Sequence, residues 1–148
     1  MECLGGNGYV EDKMLARLYR EAPVNAIWEG SGNVMCLDVL RAMARDGEAS
    51  RAVLDALAHD SADLPGCVEA IRGIERILAN SASEASARML VERLALLASA
   101  AALKASAPWD IAECFARTRI ATPRGTTFGT SELSDGERTD LLERVLPA

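Results

Sequence analysis

The stretch "GCVEAIRGIERILAN", residues 66–80, sets Val68, Ile71, Ile74, Ile77 and Leu78 three and four positions apart. That spacing lays the apolar side chains along one face of an α-helix and fits no two-residue alternation. A stripe of this kind has to be buried against a neighbour, so the chain must supply other helices to pack on it. Composition agrees: 49% of the residues are hydrophobic and only 4% aromatic, with alanine and leucine abundant, as in packed helices rather than a β-sandwich. The expected fold class is all-α, a helical bundle. Its 148 residues amount to one ordinary domain, or one small domain with an appendage, and can bury a real core.

Further helices are expected on both sides of this stripe. Residues 11–19, "EDKMLARLY", carry Met14, Leu15, Leu18 and Tyr19 at helical spacing behind acids in the first turn, and Pro23 ends that helix or bounds the next segment. Ahead of it, the glycines of "GGNGY" call for a turn or loop, since each costs about 1 kcal/mol against alanine inside a helix. Asn33 can cap a helix reaching about Arg45, with Gly47 near its C-cap. Ser50 precedes "RAVLDALAH", and Asp63-Leu64-Pro65 opens the apolar stripe. Ser81 and Glu84 have capping-box spacing for a long alanine-rich helix to about Ala105, and Pro108 restarts a helix carrying Ile111, Ala112, Phe115 and Ala116. Residues 123–131, "PRGTTFGTS", form a loop, and Ser134 with Glu137 opens a last helix to about Val145.

Several functions are excluded. The N-terminus lacks the pattern of a signal peptide, and no apolar run approaches the roughly 20 residues that cross a bilayer, so no membrane association is expected. Cys3, Cys36, Cys67 and Cys114 are far apart and form no CxxC pair, which fits reduced thiols in a cytoplasmic protein. His59 is the single histidine, too few for a His-based triad or a multi-His metal site, and no metal is expected. A net charge of −6 opposes nucleic-acid binding over the whole surface. "GGNGYVEDK" lacks the order of a phosphate-binding P-loop. Trp109, beside Pro108, reads as an anchor at a helix start.

The chemistry concentrates at "AIWEGSGN", residues 26–33. If Ile27 and Trp28 shield Glu29 from water, its charged form is disfavoured and its pKa rises, which suits a base working near neutral pH. Glycines after it let main chain approach a ligand, and a helix starting near Asn33 aims free N–H groups at an anion. The other reading of Gly30-Ser31-Gly32 is a plain helix-entry turn beside an exposed glutamate.

Residues 4–41 as a whole resemble the C-terminal catalytic segment of flavin-dependent acyl-CoA dehydrogenases. The likeness runs through Gly5, Gly6, Gly8 and Tyr9 of a "GGxGY" turn, the Arg20-Glu21 pair, Ile27 to Ser31, and Arg41 twelve residues beyond the glutamate. Their wording is closer still to the AidB-like branch, which is linked to the adaptive response to alkylation. The resemblance implies that Glu29 takes the α-proton of an acyl-CoA thioester while hydride leaves the β-carbon for the flavin of FAD. It places Arg41 near that carboxylate and Trp28 beside flavin and substrate. Gly30, Ser31 and Asn33 fall where the family meets the FAD phosphates or adenine end, and Gly5 and Gly6 where a turn approaches the FAD of a neighbouring subunit, which implies a homo-oligomer. Ser31 stands where threonine is usual and Glu2 precedes Cys3-Leu4 where glutamine is frequent, departures that bear on the flavin contacts more than on the base.

Residues 1–45 are thus expected to be the end of an acyl-CoA dehydrogenase C-terminal helical domain. Residues 46–148 resemble, more loosely, the additional C-terminal helical domain of the AidB-like branch, through helix order and "AECFARTRI". Family members build the flavin site from three domains, so a chain holding the end of the last is expected to be inactive alone. A non-catalytic module for oligomerisation or DNA association is the alternative. Arg117, Arg119 and Arg124 are its candidate DNA contacts, or else cations that stabilise a helix C-terminus; residues 46–148 are net acidic, against general phosphate binding.

Overall fold

The structure is a computed structural model, and it describes residues 1–28, 30–80 and 83–122, with residues 135, 136, 139 and 142. Among these every regular element is helical, as the apolar spacing predicts. After a 3-10 turn, Glu2–Leu4, come α1 (Gly6–Tyr9), α2 (Met14–Trp28), α3 (Gly32–Arg45), α4 (Gly47–Ser61), α5 (Cys67–Ala79), a second 3-10 turn (Glu84–Ser86), α6 (Ala87–Ser106) and α7 (Trp109–Arg119). No helix among the described residues is long and apolar enough to cross a membrane.

The long helix α6 is the hub, packing against α3, α4, α5 and α7. Leu90, Leu97 and Ala100 on α6 are fully buried, as are Ile74 on α5 and Ala112 and Ala116 on α7. Each large apolar side chain buried there contributes about 1.5–3 kcal/mol, and the small ones let helix axes approach. Two arginines of α6 exploit glycines on neighbouring helices: Arg93 lies across Gly73 of α5, and Arg88 across Gly32 of α3. Ser61, buried at the end of α4, donates its hydroxyl to the Leu57 carbonyl at 2.7 Å. Burial pushes the neighbouring Cys67 thiol upward in pKa. All four cysteines are free thiols.

The structure corrects several boundaries. Of the turn or loop expected at "GGNGY", the structure shows a turn, wound as the short helix α1: Gly8 N donates to Gly5 O and Val10 N to Gly6 O, and a side chain at Gly8 would collide with the Met1 carbonyl. Pro23 does not end α2, which continues to Trp28, because proline removes one backbone donor while the helix formers on both sides, braced by an Arg17–Glu21 ion pair at 3.1 Å, keep the rest. The helix begins at Met14 with no acid in its first turn; Glu11 lies ahead of it and receives both guanidinium nitrogens of Arg20, which holds its carboxyl below the usual range.

Gly47 opens α4 rather than closing α3, because Asp46 does both. Its N–H bonds Ala42 O at 3.1 Å while its Oδ1 accepts from Ala49 N at 2.9 Å. The entry to α6 is held by Ser83 and Ser86, with Ser83 N donating to Ser86 Oγ at 3.1 Å. Ser81 lies outside the described residues, as do Ser134, Glu137 and most of the expected last helix.

Candidate functional site at the α2–α3 junction

The functional candidates sit where α2 ends and α3 begins. Trp28 is the last residue of α2 and is 81% exposed, with Ile27 at 73%. Among the described residues, nothing covers either side chain from solvent. Glu29 lies outside the described residues. Gly30 follows with φ +101°, in the region that favours glycine, and its N–H bonds Ile27 O at 3.3 Å.

Ser31 is the N-cap of α3, with φ −64° and ψ 145°, and its hydroxyl makes no cap bond. The cap position is therefore Ser31, not Asn33 as the sequence suggested. Asn33 stands inside the first turn, where its Oδ1 accepts a 2.7 Å hydrogen bond from Nε of Arg88. The α3 entry thus gathers a left-handed glycine, a hydroxyl, an amide side chain and the unpaired amides of a helix start. This donor set fits the chemistry of a phosphate ester.

The remaining candidates are more dispersed. Gly5 ends the first 3-10 turn at φ +52°, and at both Gly5 and Gly6 an added Cβ would meet open space. Arg41 stands about 13 Å along the α3 axis from Gly32, bonded to Asp38 at 2.7 Å and exposed. It shares a groove of about 780 Å3 between α3 and α4 with Arg45, Met43 and Val53. The adjacent residues Arg20 and Glu21 do not pair with each other, since Arg20 reaches Glu11 and Glu21 reaches Arg17.

Arg117 and Arg119 occupy the last turn of α7, where cations favour the helix dipole. Arg117 also lies 3.6 Å from Glu113, so the basic cluster is partly neutralised in place. Arg124 lies outside the described residues. Nothing in this geometry supports DNA contact. Among the described residues no group of three or more His, Cys, Asp or Glu is placed to hold a metal ion.

Residues 1–44 match the family model described as "Acyl-CoA dehydrogenase, C-terminal domain". The chain is 37% identical over 149 aligned positions, 98% of its own length, to "Putative acyl-CoA dehydrogenase AidB" of Escherichia coli (strain K12). Its first 44 residues thus carry the acyl-CoA dehydrogenase C-terminal domain, and nearly the whole chain is similar to AidB. A second relative, "Acyl-CoA dehydrogenase family member 11" of Caenorhabditis elegans, is 58% identical over 41 residues, 28% of this chain and 7% of that protein. The chain spans 26% of the length of the AidB protein. No solved structure gives a significant match.

Arg88 is the residue that sequence reading missed. It lies outside the matched segment, 55 positions from Asn33, and neither a motif nor a local spacing marks it.

Proposed function

We propose that this chain is the flavin- and base-bearing C-terminal part of an FAD-dependent oxidoreductase that dehydrogenates acyl-CoA thioesters. The observation that carries the reading is the α3 entry: a left-handed glycine and a donor-rich helix start immediately follow the Trp28-Glu29 step, inside the segment matched by the family model. When bound, FAD supplies the acceptor for the hydride leaving the β-carbon. The carboxylate of Glu29 takes the proton from the α-carbon. Ser31, Asn33 and the first amides of α3 hold the FAD phosphates, with Gly30 leaving room for that approach. Trp28 offers an exposed aromatic face to flavin and substrate, Gly5 and Gly6 lie against the FAD of a neighbouring subunit, and Arg41 biases the field along the same helix toward the ionised base.

Residues 1–45 and 46–148 are taken as the family domain's end and an AidB-like extension. Within that site the chain provides the wall that carries the base and the phosphate-binding helix start. Its free thiols fit a reducing cytoplasm. The test is Glu29→Gln in the flavin-loaded protein: turnover of an acyl-CoA should fall by about 10²–10⁴-fold with flavin absorbance retained, and undiminished oxidation removes Glu29 from the mechanism.

Self-association is a second reading with its own support. Met14, Leu18, Tyr19, Val24, Ile27 and Trp28 of α2 are all exposed, and Ala16 is the residue of that helix that is buried. Of these, Met14, Leu18, Val24 and Trp28 lie along one side of the helix; such a face calls for a partner, and a second copy is the one proposed. An alkylation-response role through DNA has no comparable observation behind it.

A further inference from the structure

The contact between Arg88 and the start of α3 joins the segment matched by the family model to a helix that the model does not reach. It has three parts. Cys36 and Ala87 are buried beside a cavity of about 200 Å3 shared by α3, the second 3-10 turn and α6. Farther out, Arg88 Nε bonds Asn33 Oδ1 at 2.7 Å. Its guanidinium also lies over Gly32, where an added Cβ would stand 3.1 Å from Nη2.

Chemistry fixes the orientation of Asn33. A guanidinium only donates, so the asparagine must turn its oxygen to Arg88 and its amide nitrogen away, leaving both Nδ2 hydrogens for another acceptor. A cation near the N-terminus of a helix also works against the helix dipole. The contact therefore does more than favour the helix as such: it ties the first turn of α3 to α6 and sets the direction of the Asn33 donors.

We propose that Arg88 is a positioning residue for the flavin site, through which α6 fixes the α3 entry and aims the Asn33 amide at the FAD phosphates. The proposal rests on the flavin reading above.

Hydrogen exchange on the whole chain tests the local half. Arg88→Ala and Asn33→Ala should each speed exchange of the Met35 to Leu37 amides about tenfold. The double variant should go no further, Asn33→Asp should hold the wild-type rate by keeping an acceptor for Arg88, and the amides of α5 should be unmoved. No change at α3, or an equal rise throughout the chain, overturns the proposal.

FAD affinity of the flavin-loaded protein tests the other half. Each single alanine variant should weaken FAD about tenfold, and the double variant no more than either. Wild type that holds FAD while Arg88→Ala binds it equally well overturns the positioning role alone. Wild type that holds no FAD overturns the flavin reading, and the exchange pattern alone then decides whether Arg88 sets the α3 entry.

Discussion

Gly66 marks how much a single position constrains this chain. It precedes α5 at φ +77°, and a Cβ there would lie 2.5 Å from the Cα of Ala121, just beyond α7. Gly66→Ala therefore combines a left-handed backbone penalty of about 1 kcal/mol with a clash against main chain that cannot rotate away. The expected loss is about 2–4 kcal/mol, read as a lower urea midpoint with unchanged slope. At this scale legibility was uneven for a physical reason. The glycines singled out near the motif, Gly5 and Gly30, do take positive φ, because local turn chemistry leaves its mark in neighbouring residues. The demands on Gly66 and on Gly32 come from Ala121 and Arg88, distant in sequence, and no window around either glycine contains them.

The elements were more readable than their ends. The apolar stripe of residues 66–80 gives α5, Pro108 opens α7, and the alanine-rich run gives α6, because periodicity extends over several turns. Ends depend on one or two hydrogen bonds. Asp46 took the junction from Gly47 by capping α4 with its own carboxylate, and Pro23 failed to stop α2 because one missing donor is weaker than the flanking turns. That second case carries a prediction. Pro23 is exposed inside α2, and Pro23→Ala restores a backbone donor and removes the ring's clash with the preceding turn, worth up to about 3 kcal/mol within the helix. Helical ellipticity should rise, and the amides of residues 23–27 should exchange more slowly. Lower ellipticity would mean that the proline is needed for α2 to pack.

At the scale of the whole molecule, the described residues divide by what each helix is packed against. α6 lies among four neighbours and holds the fully buried Leu90 and Leu97, whereas α2 buries little beyond Ala16 and rests on α1. The candidate site lies between these regimes: its α3 side is tied to the core by Cys36 and Arg88, while its α2 side exposes Ile27 and Trp28. A site with one firm wall and one bare apolar wall needs something else to close it, which no single-chain pattern of periodicity can reveal.

Leu97→Ala should therefore cost about 2–5 kcal/mol of stability through transfer and cavity terms. Leu18→Ser, at a position 47% exposed, should stay within about 0.5 kcal/mol but weaken self-association. Denaturant unfolding reads the first difference, and sedimentation velocity across a concentration series reads the second. If Leu18→Ser leaves the concentration dependence of sedimentation untouched, the exposed face of α2 is not where copies meet, and the bare wall of the site is closed by another surface.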